Sequence, residues 1–153
     1  MSGHIALGLC FLVTALLCIQ ADTDVLCKSG TKDYTVDLPS NTTYKFGTAY
    51  RRYKARQRCT ATYTLTTCEQ ASISCSSFST IGFRGCTRGD YLLIKDSMGN
   101  KRFCNTNKPI EYKPTGDFSI QFVSDAKRAS TGLKCTVTCD SPSGELKPSF
   151  SSK

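Results

Sequence analysis

The sequence contains no tryptophan and one histidine, His4. A lone imidazole near the N-terminus excludes Ser-His and Cys-His nucleophilic machinery, which needs a base beside the nucleophile. Zinc sites built on paired histidines are excluded with it, and no CxxC pair occurs to replace them. Long apolar runs are almost absent: after Ile5–Ile19, no stretch is apolar enough to cross a bilayer. No segment carries a convincing helical period. Acidic residues are outnumbered, twelve against twenty Lys and Arg, for a net charge of +8. No acidic pair stands out for carboxylate catalysis. An enzyme is not expected.

What is present points outside the cell. The run Ile5–Ile19, then Ala21 and Asp22-Thr-Asp24, has the h-region and small-residue cleavage site of a secretory signal peptide. Residues 1–21 are therefore expected to be removed, leaving one secreted, extracellular domain over 22–139 and a disordered Ser/Pro/Gly/Lys-rich tail over 140–153. Setting aside Cys10 and Cys18 leaves Cys27, Cys59, Cys68, Cys75, Cys86, Cys104, Cys135 and Cys139. An even count in a small secreted domain predicts four disulfides, with no free thiolate for catalysis. Spacing alone does not decide the partners. A basic secreted chain points to anionic glycan, membrane surface or acidic protein as partner, and away from nucleic acid.

Period-two alternation dominates the chain. Cys59–Cys68 places Ala61, Tyr63 and Leu65 on one side and Thr60, Thr62, Thr64 and Thr66 on the other, a strand with one buried face. With Ile73–Phe78 it is read as a hairpin. Further strands are expected at Tyr34–Leu38, Tyr44–Phe46, Asp90–Asp96 returning through Lys101–Cys104, Phe118–Phe122 and Leu133–Cys139. Asp22–Lys32 is read as a polar lead, and Ile81–Gly89 as a Gly-rich loop. Eight or nine short strands make an all-β sandwich the expected architecture.

Two surface features bear on function. Asn41-Thr42-Thr43 is the sole N-glycosylation sequon, placing Asn41 in a surface turn. Tyr50–Arg58 carries Arg51, Arg52, Lys54, Arg56 and Arg58 with no acid. Such runs are ordinarily solvated loops. The sharper alternative is a binding patch for sulfated glycan or anionic lipid, with Tyr50 and Tyr53 flanking the charges. Convertase cleavage fits less well, because the basic residues lack the usual spacing.

Several segments together resemble a CUB domain. Ile73-Ser-Cys75-Ser-Ser-Phe78 followed by Cys86-Thr-Arg-Gly-Asp90-Tyr-Leu-Leu-Ile94 is similar to that family's strand, aromatic, cysteine, Asp and apolar strand. Arg102-Phe-Cys104 resembles its Arg-aromatic-Cys-Gly, with Asn105 in place of the glycine. Phe118–Asp125 resembles the strand ending in Ser-Asp, and Thr131–Cys135 the final strand. Thr48–Tyr53 lacks the two prolines of the family's Ser-Pro-x-Tyr-Pro segment, and Ala61 replaces an aromatic. The likeness implies a jelly-roll-like, CUB-type β-sandwich with the bridges Cys27–Cys59 and Cys86–Cys104. Similarity to insect CUB domains, such as those preceding some hymenopteran venom serine proteases, favours Cys75–Cys135 and Cys68–Cys139. Those bridges would tie the Cys59–Phe78 hairpin to the last strand.

The resemblance also implies a secreted, non-enzymatic binding module like the small CUB proteins of predatory bug venoms. Such a venom or salivary component would engage extracellular protein or anionic glycan. An accessory protein of secreted proteases and a calcium-dependent interaction module are the alternatives. Many CUB domains hold calcium through one Glu and two Asp. Asp90 and Asp125 match the two aspartates, but Thr80, Ile81 and Gly82 stand where the glutamate is expected.

Overall fold

The computed structural model describes residues 24–49, 52–76, 86–105, 108–125 and 131–140. Ten strands are defined among them: β1 (Val25–Cys27), β2 (Thr31–Leu38), β3 (Thr42–Thr48), β4 (Arg58–Leu65), β5 (Gln70–Cys75), β6 (Tyr91–Asp96), β7 (Gly99–Phe103), β8 (Ile110–Tyr112), β9 (Phe118–Val123) and β10 (Lys134–Asp140). They form two five-stranded sheets, ordered β1-β3-β10-β5-β8 (sheet A) and β2-β4-β9-β6-β7 (sheet B). Pairing is antiparallel except β1 with β3 and β2 with β4. The expected all-β architecture is what the chain adopts.

Alternation sets the core. In β4 the residues Cys59, Ala61 and Tyr63 are fully buried, and in β9 Phe118, Ile120 and Phe122 lie beside them. Phe46, Ile73, Cys75, Cys135, Val137 and Cys139 come from sheet A. Burying one large apolar side chain is worth about 1.5–3 kcal/mol, so these two inner faces hold the sheets together. Tyr63 stacks on Phe118 with centroids 4.9 Å apart, and Tyr53 meets Phe122 edge-on at 5.0 Å.

Four disulfides reinforce the sandwich: Cys27–Cys59, Cys68–Cys139, Cys75–Cys135 and Cys86–Cys104. Cys27–Cys59 joins β1 of sheet A to β4 of sheet B. Cys75 and Cys135 face each other across β5 and β10. The neighbouring pair, Ser76 and Lys134, carries the ladder hydrogen bond Ser76 N–H to Lys134 O at 3.0 Å. Cys75 and Cys135 therefore occupy the adjacent non-hydrogen-bonded site, where antiparallel strands come closest and a cross-strand bridge can close.

Two expectations are corrected. The polar lead contains β1 and the start of β2: Val25 and Cys27 are buried because β1 pairs in parallel with the distant β3. The segments β4 and β5 are no hairpin. They lie in opposite sheets, and Cys68, on the connection between them, is bridged to β10. Strand β8 has no counterpart among the expected strands. It is three residues long, and its pairing with β5 is what defines it. In addition β10 runs through Asp140, one residue into the segment expected to be tail. The expected signal peptide, most of the tail and the Gly-rich loop through Gly85 lie outside the described residues.

Candidate functional site: a pinned basic segment

The basic segment leaves β3 and enters β4 at one end of the sandwich, and it is held by two buried side chains. Tyr53 is 1% exposed, and its hydroxyl donates to Oδ2 of Asp90. Gln57 is 2% exposed, with its side-chain amide donating to the Lys28 carbonyl oxygen and its backbone N–H donating to Ser124 Oγ at 2.9 Å. Ser124 donates its hydroxyl to Lys54 O at 2.7 Å and its N–H to Gln57 O at 2.8 Å. Arg56, in the left-handed region at φ 57°, donates its N–H to Asp125 O at 2.7 Å. Arg52 bridges to Thr131. Among the described residues, the backbone is thus fixed at Arg52, Lys54, Arg56 and Gln57.

Between those anchors the cations point outward. Arg52, Lys54, Arg56 and Arg58 are all exposed. Arg52, Arg56 and Arg58 make no ion pair among the described residues. Arg51 and Tyr50 lie outside the described residues. Tyr53, expected to flank the charges as a surface aromatic, is instead a core residue that holds the segment down. The sequence assigns no anchoring role to Gln57, and shows Ser124 only as part of the Ser-Asp ending of Phe118–Asp125. Their role depends on a contact between segments 67 residues apart, which no local pattern encodes.

The two aspartates also meet at this end. Asp90 is fully buried, with Oδ2 taken by Tyr53 and Oδ1 accepting the backbone N–H of Asp125 at 2.6 Å. Calcium takes six to eight oxygen ligands. No cluster of three potential metal-ligating side chains occurs among the described residues. Residues 77–85, outside them, contain no acid. The hydrogen bonds that Asp90 makes are structural: they join the segment to the start of β6 and to the loop after β9.

An open groove of about 270 Å³ lies at the opposite end, lined by Thr62, Lys95, Asp96, Asp117, Phe118 and Ser119. Burial raises the Asp96 carboxyl, but hydrogen bonds from Thr115, Tyr112, Met98 and Gly99 outweigh it and hold the group below the ordinary carboxylate value. Tyr112 is raised, by burial first and then by the same Asp96 contact. Both groups are committed to each other. Asn41 lies in the β2–β3 turn, exposed, also at this far end.

Two opposed sheets, ten strands and four bridges define a disulfide-linked β-sandwich. That sandwich is of CUB type. It is similar to the full extracellular region of zebrafish Gpr126/Adgrg6, at 20% identity and TM-score 0.62 over 72% of this chain. The CUB1-EGF-CUB2 domains of rat MASP-1 match at 15% identity and TM-score 0.52 over 69% of it. The MASP-1 CUB2 domain bound to Ca2+ matches at 19% identity and TM-score 0.55, over 69% of this chain and 99% of that domain. The chain spans only 15% of the Gpr126/Adgrg6 region and 42% of the MASP-1 fragment. No protein-family model matches the sequence, and no curated protein matches it.

Proposed function

We propose that this chain is a secreted, non-enzymatic CUB-type binding module that engages an anionic extracellular partner through residues 51–58. The observation that carries the reading is the pinned segment: Tyr53 and Gln57 are buried, while Arg52, Lys54, Arg56 and Arg58 stand exposed. Pre-ordered cations bind an anion without first losing backbone entropy. The eight described cysteines are all bridged and His4 is the sole histidine, which supports a non-catalytic role. A glycan on Asn41 would sit a β-strand's length away, roughly 25 Å for eight residues, and leave the basic end clear.

A venom or salivary setting follows from the resemblance to insect venom CUB proteins, and abundance of the chain in such a secretion would support it. The binding itself is tested by changing Arg51, Arg52, Lys54, Arg56 and Arg58 together to Gln. The variant should elute from an immobilised polyanion at much lower salt than the parent. Unchanged elution would remove the reading. Co-purification with a secreted protease, unaffected by the change, would favour the accessory role instead.

A further inference from the structure

The register of sheet B carries the cationic surface beyond the basic segment. Arg58 pairs with Val123 of β9, and Val123 pairs in turn with Tyr91 of β6. Their chain neighbours Cys59, Phe122 and Leu92 are buried in the core, so the pleat sends Arg58, Val123 and Tyr91 to the outer face. Arg102, from β7, lies over the Tyr91 ring with its guanidinium carbon 4.9 Å from the centroid. Its Nη1 donates to the Cys86 carbonyl oxygen at 3.5 Å. The ring and the carbonyl orient this head group while the residue stays exposed. Arg88, also exposed, stands just before β6.

Acids are distributed unevenly over the same face. Asp37 and Asp117 lie at its opposite end, where Asp37 pairs with Thr64 and Asp117 accepts the Leu65 N–H. Towards the Arg58 end stand Asp33, one row from Arg58 on the edge strand β2, and Asp125, just beyond β9. The exposed large apolar residues, Leu26 and Met98, are on β1 of the other sheet and on the β6–β7 turn.

We infer that a linear sulfated polysaccharide lies across this end of sheet B, from Arg102 and Tyr91 over Val123 to Arg58, and on to the basic segment. The inference rests on the reading that the segment binds an anion, and it names the class of that anion. Three inter-strand steps separate β4 from β7, a track of about 14 Å. A polyanion gains from such a row because each contact releases condensed counterions. A protein partner would need exposed aromatic or aliphatic anchors at the centre of its footprint, whereas Tyr91 and Val123 on this track are half-buried and Arg102 covers the Tyr91 ring.

The test compares the full, oxidised chain on immobilised heparin, on a sulfonate resin and on immobilised polyglutamate. Arg58→Gln with Arg102→Gln should bind heparin about tenfold more weakly near physiological salt. Thr31→Lys adds a cation beside Arg58 on the exposed edge, and should tighten heparin binding several-fold while leaving the core untouched. It decides the matter if the double variant fails to fold.

Wild-type strength in the double variant, with binding lost in Arg52→Gln/Lys54→Gln/Arg56→Gln, overturns the track but leaves the basic-segment reading standing. Heparin binding indifferent to every variant removes both. Polyglutamate held as tightly as heparin, or equal elution from heparin and sulfonate, overturns the assignment to a sulfated glycan.

Discussion

Tyr63 is wholly buried and stacked on Phe118, yet its hydroxyl has no hydrogen-bond partner among the described residues. A buried polar group without a partner costs about 1–3 kcal/mol. Tyr63→Phe should therefore stabilise the fold by about 1 kcal/mol, read from chemical denaturation at neutral pH. The same residue gives a pH signature. Burial chiefly, then the charge of Asp24 and Tyr44, raises its phenol above the ordinary tyrosine value. A raised folded-state pKa means the stability is fully present below the unfolded value, near pH 10, and is lost as pH rises beyond it. Parent and Phe variant should thus diverge further above pH 10. Parallel stability curves there would refute the burial of the hydroxyl.

Among the elements, β3 closes tightly at Gly47 on the chain leading into β10. A Cβ there would stand 2.4 Å from the Leu133 carbonyl oxygen, a backbone atom that accepts the Thr48 N–H at 3.0 Å. Gly47→Ala must part β3 from the chain leading into β10, and should destabilise by at least about 2 kcal/mol. The bridges differ in the chain length they close. Cys68–Cys139 spans 71 residues and Cys86–Cys104 spans 18. In the chain-entropy view, replacing the first pair by Ala costs about 4 kcal/mol and the second about 3. Denaturation midpoints of the two paired variants check the order. The strands themselves show how far local pattern reaches: β4, β9 and β10 alternate over six residues or more and are legible in the sequence. Strands β1 and β8, of three residues each, are defined by distant partners.

For the whole molecule, the sandwich places the basic segment, Asp90 and Asp125 at one end and Asn41 at the other. With Asp90 already committed to Tyr53 and to the Asp125 N–H, the fold is expected to be indifferent to calcium. Adding millimolar calcium or a chelator is expected to produce no shift in Tm, since a ligand stabilises a fold only by binding its native state. A clear rise with calcium would show that ligands beyond the two aspartates complete the site. The electrostatic division of the outer face of sheet B is likewise a property of the assembled molecule. Arg58 and Arg102 are 44 positions apart in the chain and come together through the β4-β9-β6-β7 order.

The sequence by itself determined the strand-forming alternation, the eight-cysteine framework, the excess of cations at 51–58 and the single imidazole at His4, because these depend on residue type and near spacing. Only the tertiary structure decided that β4 and β5 part into different sheets, that Tyr53 turns inward to Asp90, and that Arg102 joins Arg58 on one surface. Each of those follows from pairing between distant segments. Such pairing is set by which combination of strands buries both inner faces at once, and no single stretch of chain carries that information.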